Sequence, residues 1–199
     1  MKKLLPLLAA IALTGPTACV TSKEPDVETH APPLADPDYG PVLAKATQSR
    51  VVFRDFENRY QVTATYLSPE FRAAFAKRLA QVYLNDESRL FEEASAKAGF
   101  FVSIEAPSNE LNEKTDLSNP QHWTVQLAGS QGPLKPILVK RLNDKERWRA
   151  FFAGINTWTY EYLVVFDAPS VNPHSPELVQ KTGVTLTLAN ADAKVDLSW

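Results

Sequence analysis

The residues in this 199-residue chain best suited to chemistry are three histidines, one cysteine and a few neighbouring acids. His30, His122 and His174 lie far apart, and no two have the spacing that puts a pair of imidazoles on one helix face. With a single cysteine there is no thiolate pair to complete a zinc site, so no metal site and no cofactor are expected. No Gly-x-Ser-x-Gly elbow and no glycine-rich phosphate loop occurs, and only seven glycines are present. Asp86-Glu87 and Glu92-Glu93 are adjacent acids on a predicted helix, where neighbours point in different directions, so they read as a solvated face. Asp192 and Asp196 have the right chemistry for calcium but lack the alternating acid loop that would wrap it. A catalytic centre would have to assemble in space, for example His122 or His174 meeting Glu105 or Asp167.

Cys19 has a more specific context. Lys2 and Lys3 precede an apolar run, Leu4 to Leu13, of about ten residues, too short for the roughly 20 that span a bilayer. Pro6 weakens that run further as a membrane helix. Gly15-Pro16-Thr17-Ala18-Cys19 resembles a lipobox, in which the cysteine is acylated and becomes the first residue of the mature chain. Pro16 departs from that pattern, which usually has an aliphatic residue three places before the cysteine. Residues 1–18 thus read as a lipoprotein signal peptide, with a plain secretory signal and a leftover thiol as the alternative. An exported lone thiol has no internal disulfide partner, and two or more acyl chains on it give stable membrane anchoring. By resemblance to the sorting rule in which aspartate after the cysteine retains a lipoprotein in the inner membrane, Val20 points to the outer membrane of a bacterial cell envelope.

Without Lys2 and Lys3 the chain has 19 basic and 23 acidic residues, a mild negative balance that argues against nucleic acid as a partner. Residues 19–44 carry Pro25, Pro32, Pro33, Pro37 and Pro41 among small and acidic residues and read as a tether. Tyr39 and Val42 leave open a packed N-terminal arm instead. Residues 45–199 then form one domain, large enough to bury its own core.

Val62, Ala64 and Tyr66 alternate with polar neighbours, as in a half-buried strand. Ser68-Pro69-Glu70 is a helix start, with a hydroxyl cap, proline at the first helical position and an acid at the positive dipole end. Phe71, Phe75, Leu79, Val82 and Tyr83 continue it as one apolar stripe. Leu90, Phe91, Ala94 and Ala98 form a second stripe that Gly99 would stop, making a helical insertion near residues 69–98. Six further strands are expected at 100–106, 123–127, 137–141, 160–167, 184–188 and 194–199, with residues 128–133 as a hairpin loop. Short strands with a helical insert predict a mainly β, α+β fold, an antiparallel immunoglobulin-like β-sandwich without the antibody disulfide.

Trp158, Tyr160 and Tyr162 share one strand face by alternation and could bind a glycan or an envelope protein; the competing reading, and the favoured one, is that these rings fill the core. The segments Ala64–Arg72, Trp123–Leu127, Pro136–Leu138, Phe151-Phe152 and Tyr162–Asp167 resemble a group of small uncharacterised bacterial lipoproteins over most of residues 50–199. The resemblance implies export and a β-rich domain and carries no catalytic residue. The expectation is a lipid-anchored envelope protein that binds or scaffolds another component and is not an enzyme. An envelope-polymer hydrolase and a small-ligand binder are the alternatives.

Overall fold

Strand β3 (Lys97–Glu105) has seven consecutive buried residues, Ala98 to Ile104, and β7 (Thr159–Pro169) has six, Glu161 to Phe166. A strand buried on both faces must lie inside a sheet covered on both sides. The computed structural model shows that arrangement, and it describes residues 36–54, 57–83, 91, 94, 96–105, 116–129, 132–171 and 183–199. A five-stranded antiparallel sheet has the order β1 (Thr47–Arg54), β2 (Glu57–Tyr66), β3, β7, β6 (Pro136–Leu142). A four-stranded antiparallel sheet has the order β5 (Gly132–Leu134), β4 (Thr124–Gly129), β8 (Thr185–Ala189), β9 (Lys194–Ser198). The fold is a mostly antiparallel, sandwich-like α+β fold.

Pairing register assigns each face. Val62, Ala64 and Tyr66 lie opposite Ile104, Val102 and Phe100, and Val102, Phe100 and Ala98 lie opposite Tyr162, Val164 and Phe166. These side chains meet Val125, Leu127, Leu186, Leu188, Val195 and Leu197 of the smaller sheet in one core. The intervening residues Phe101, Leu163 and Val165 face the other way, into a second core under α1 (Tyr39–Ala46), α2 (Pro69–Tyr83), α3 (Lys145–Arg149) and the chain at Phe91 and Ala94. The helical insertion is therefore a third layer over the central sheet.

Helix α2 begins as its sequence dictates: the Ser68 hydroxyl accepts the Phe71 N–H at 3.1 Å. Arg72 ties this end to the sheet, donating to the carbonyls of Leu67 at 2.6 Å and Lys97 at 2.7 Å. Phe71, Phe75 and Leu79 are buried as the stripe requires, whereas Val82 is exposed; the Tyr83 side chain lies outside the described residues. Much of the second core is aromatic, and Phe101 and Phe152 stack with centroids 3.8 Å apart and planes within 3°.

Several boundaries differ from expectation. Tyr39 and Leu43, inside the expected tether, are buried in α1, and the Tyr39 hydroxyl donates to the Phe151 carbonyl at 2.9 Å. Packed structure therefore starts before residue 45. Ala98 and Gly99 belong to β3 and do not end a helix. Gly99 has another role: a Cβ there would lie 2.8 Å from that of Ala94, so glycine lets this segment lie against the strand. Gly132 and Pro133, expected in a hairpin loop, form β5 together with Leu134.

Gly154 has φ +76°, and a Cβ on it would lie 2.8 Å from the Thr63 hydroxyl. Gly154→Ala is expected to destabilise the protein by about 1–3 kcal/mol through strain and clash. Phe152→Ala should cost about 3–5 kcal/mol by emptying the aromatic core, while substitution of exposed Ile137 by serine should stay within about 0.5 kcal/mol. Urea unfolding of the three variants checks the order.

Candidate functional site

Strands β5 and β6 are one continuous run of chain that changes sheets at Lys135. Leu134 pairs with Leu127 of β4 in the small sheet, and Pro136 pairs with Phe166 of β7 in the large one. Because β5 pairs only with Leu127, Ala128 and Gly129, the earlier part of β4 has no paired strand on the side away from β8 among the described residues. Among the described residues strand β6 likewise ends its sheet, paired with β7 on one side only. Between the parting strands lies a cleft of about 360 Å³, within the range of ligand pockets.

Leu117, Trp123 and Val125, all buried members of the sandwich core, form part of the cleft lining. Its walls include consecutive residues on both strands, Trp123 to Val125 and Pro136 to Val139. Consecutive residues point alternately to the two faces of a strand, so lining by all of them means that backbone edges face the cleft along with side chains. A register shift between Pro136 and Leu138 leaves Ile137 as an extra residue, 54% exposed at the cleft. Lys135 is the one charged side chain in the lining.

The wall at residues 116–123 is a braced turn. One oxygen of Asp116 accepts the Ser118 hydroxyl at 2.7 Å, the Ser118 N–H at 2.9 Å and the Tyr162 hydroxyl at 3.2 Å. Burial opposes ionisation of Asp116, but these bonds together with the Arg141 charge outweigh it and hold the carboxyl below its ordinary range. Burial, and then the Asp116 charge, push the Tyr162 hydroxyl upward, so it stays protonated and donates.

The three aromatics singled out at and just before the start of β7 differ in exposure. Trp158 is 58% exposed, Tyr160 is half-buried under the Arg141 guanidinium at 4.1 Å, and Tyr162 is 1% exposed in the sandwich core. The chain enters the core as it proceeds from Trp158 into β7, so of the three rings Trp158 alone is largely in water.

A second polar group lies on the helical face of the central sheet. Ser49, Thr63, Ser103 and Glu161 sit opposite one another across four strands. Glu161 is 2% exposed and accepts a hydrogen bond from Thr159, whose hydroxyl also lies close to the Asn156 carbonyl. Asn156 donates to Glu105 at 2.6 Å, and Lys145 donates to the Thr159 carbonyl. Loop residues 153–156 cover this row, with Ser103 bonded to the Gly154 carbonyl at 3.3 Å.

The partners expected of a hydrolase are not brought together among the described residues. Glu105 takes Asn156, and Asp167 takes Lys97 at 2.9 Å at the surface. His122 is half-buried, and its backbone N–H donates to the Asn119 carbonyl at 3.1 Å. Asp196, a calcium candidate, takes the Thr187 hydroxyl at 2.6 Å and Lys194 at 3.0 Å. No cluster of three or more metal-ligating side chains occurs among the described residues, and no helix there is long and apolar enough to cross a membrane. Cys19, His30, His174, Asp86-Glu87 and Glu92-Glu93 lie outside the described residues. Comparison with known proteins finds no matching family model, no matching curated protein and no matching solved structure.

The depressed Asp116 fixes a pH dependence. A carboxyl with a folded pKa below its unfolded value adds stability above the unfolded value, about 3.9, and loses it as pH falls through the folded one. Ser118→Ala is expected to cost about 1 kcal/mol at pH 7. That difference should shrink as pH falls through the folded value and Asp116 protonates in both proteins. Urea titrations at pH 7 and at successively lower pH measure it.

Proposed function

We propose that this chain is a lipid-anchored protein of the bacterial cell envelope, attached through Cys19 to the outer membrane, and that its folded part binds a partner in the cleft between β4 and β6. The observation that carries the binding role is the cleft itself, with an apolar floor and two backbone edges at its walls that no strand among the described residues pairs. Natural sheet edges are normally covered, and an apolar slot beside an open edge presents both halves of a recognition surface. The anchor is supported by the signal-like segment Lys2 to Ala18 and by the sole cysteine directly after it. The role is binding and presentation at the membrane rather than catalysis. A small apolar ligand is the second reading, favoured by the cavity volume.

Two measurements test this function. Metabolic labelling with radioactive palmitate should mark the wild type and leave Cys19→Ala unlabelled; equal labelling of both removes the anchor. A photoreactive phenylalanine analogue at Ile137, irradiated in intact cells, should give a discrete adduct that the same analogue at exposed Glu146 does not. Identical patterns from the two positions would remove the cleft as the binding face.

A further inference from the structure

We propose that the cleft holds a single-chain anionic amphiphile, a free fatty acid, whose carboxylate meets Lys135 and whose chain lies along β6 toward Trp123. The inference rests on the cleft being a binding site, as proposed above, and specifies the ligand class of its small-ligand reading.

The lining is apolar over most of its length and charged at one end. Leu117, Trp123 and Val125 are buried members of the sandwich core, and Val139 packs against that core. Ser118 directs both its hydroxyl and its N–H to Asp116, so it has no donor left for a ligand. Lys135 is exposed, and no carboxylate among the described residues pairs with it. It sits at the point where the strands part, between Leu134, which pairs with Leu127, and Pro136, which pairs with Phe166. Trp123 lies four residues before Leu127, so it stands roughly 13 Å along β4 from that point at about 3.3 Å per residue. The slot therefore has a cationic end at Lys135 and an apolar end at Trp123.

Magnitudes narrow the ligand further. A volume of about 360 Å³ is near the lower end of the range for ligand pockets, which suits one acyl chain rather than the two of a bilayer lipid. Each methylene buried on the apolar floor raises affinity about fourfold. An ion pair with exposed Lys135 adds about fivefold at most. The chain thus supplies most of the affinity, and the head group sets polarity and orientation. A long polar ligand would gain little here, because the described lining offers few donors to replace its bonds to water.

The test uses the full mature chain made without acyl groups, so that no detergent competes, with decanoate as the probe below its micelle concentration. Calorimetry should show decylammonium binding about fivefold more weakly than decanoate, and octanoate several-fold more weakly. Lys135→Glu, at an exposed site, should weaken decanoate about fivefold and make decylammonium the better ligand. Orientation is read by tryptophan fluorescence in Trp158→Phe, which removes the solvent-exposed ring. Trp148 lies in the helical core and Trp199 packs on Phe100 and Tyr66, which leaves Trp123 as the ring that lines the cleft. Decanoate brominated at its terminal carbon should quench that ring more than decanoate brominated beside the carboxylate, compared at equal occupancy. Absent decanoate binding, equal binding of decanoate and decylammonium, no effect of Lys135→Glu, or stronger quenching by the inner bromine overturns the inference. A discrete protein adduct at Ile137 in cells alongside absent decanoate binding would overturn this ligand assignment alone and leave the cleft standing as the binding face.

Discussion

The central sheet has no wet face, and the rest of the molecule follows from that constraint. Strands β3 and β7 cross its middle with almost every residue buried, so two separate layers must cover them. One is the small sheet, whose Leu186, Leu188, Val195 and Leu197 meet the even-numbered residues of β2, β3 and β7. The other is helical and aromatic, built on Phe71, Phe75, Phe151 and Phe152 over Phe101, Leu163 and Val165. Removing either layer would expose a row of large apolar side chains, each worth roughly 1.5–3 kcal/mol in burial. The two cores are therefore parts of one structure that share a wall.

Stacking a smaller sheet on a larger one leaves two seams, and the chain treats them differently. On the β1–β9 side, Trp199 closes the gap: its ring packs on Phe100 and Tyr66, and its N–H reaches the Ala46 carbonyl at 2.6 Å. On the opposite side a single run, β5 into β6, serves both sheets in turn. A strand that leaves one sheet for another cannot satisfy both edges along its whole length. The cleft is the geometric consequence, and the braced turn at Asp116 keeps its wall from collapsing inward.

Local chemistry was legible in the sequence, and long-range pairing was not. The start of α2 could be read at Ser68-Pro69-Glu70 because a cap is decided within four residues. Strands with one polar face, such as β9 with buried Val195 and Leu197, showed their alternation plainly. Alternation fails in β3, where Phe100, Phe101 and Val102 are all buried, so by spacing alone Ala98 fits a helical stripe as well as a strand. The third layer was hidden for the same reason, since continuous burial has no period to read. Trp158 and Tyr162 look alike by spacing, yet one is solvent-exposed and the other lies in the core; only the path of β7 separates them. The cleft joins residues 117–125 to 135–139 across a change of sheet, and no local pattern encodes that meeting.

The polar row beneath residues 153–156 shows how a loop can be fixed where apolar packing alone would leave it free to slide. Phe151 and Phe152 bury themselves against many rings and would tolerate small shifts, because burial is not directional. The next residues meet hydrogen-bonding groups with definite positions: Ser103 on the Gly154 carbonyl, Glu105 on the Asn156 amide, and Thr159 between Asn156 and Glu161. A buried carboxylate such as Glu161 is costly unless its bonds are made, so a displaced loop would cost more than a few lost contacts. Gly154 adds a steric condition, since only a residue without a Cβ fits over Thr63. Placed at the start of β7, this network also sets where that strand enters the sheet, and through its pairing with β6 it sets the edge along which the cleft opens.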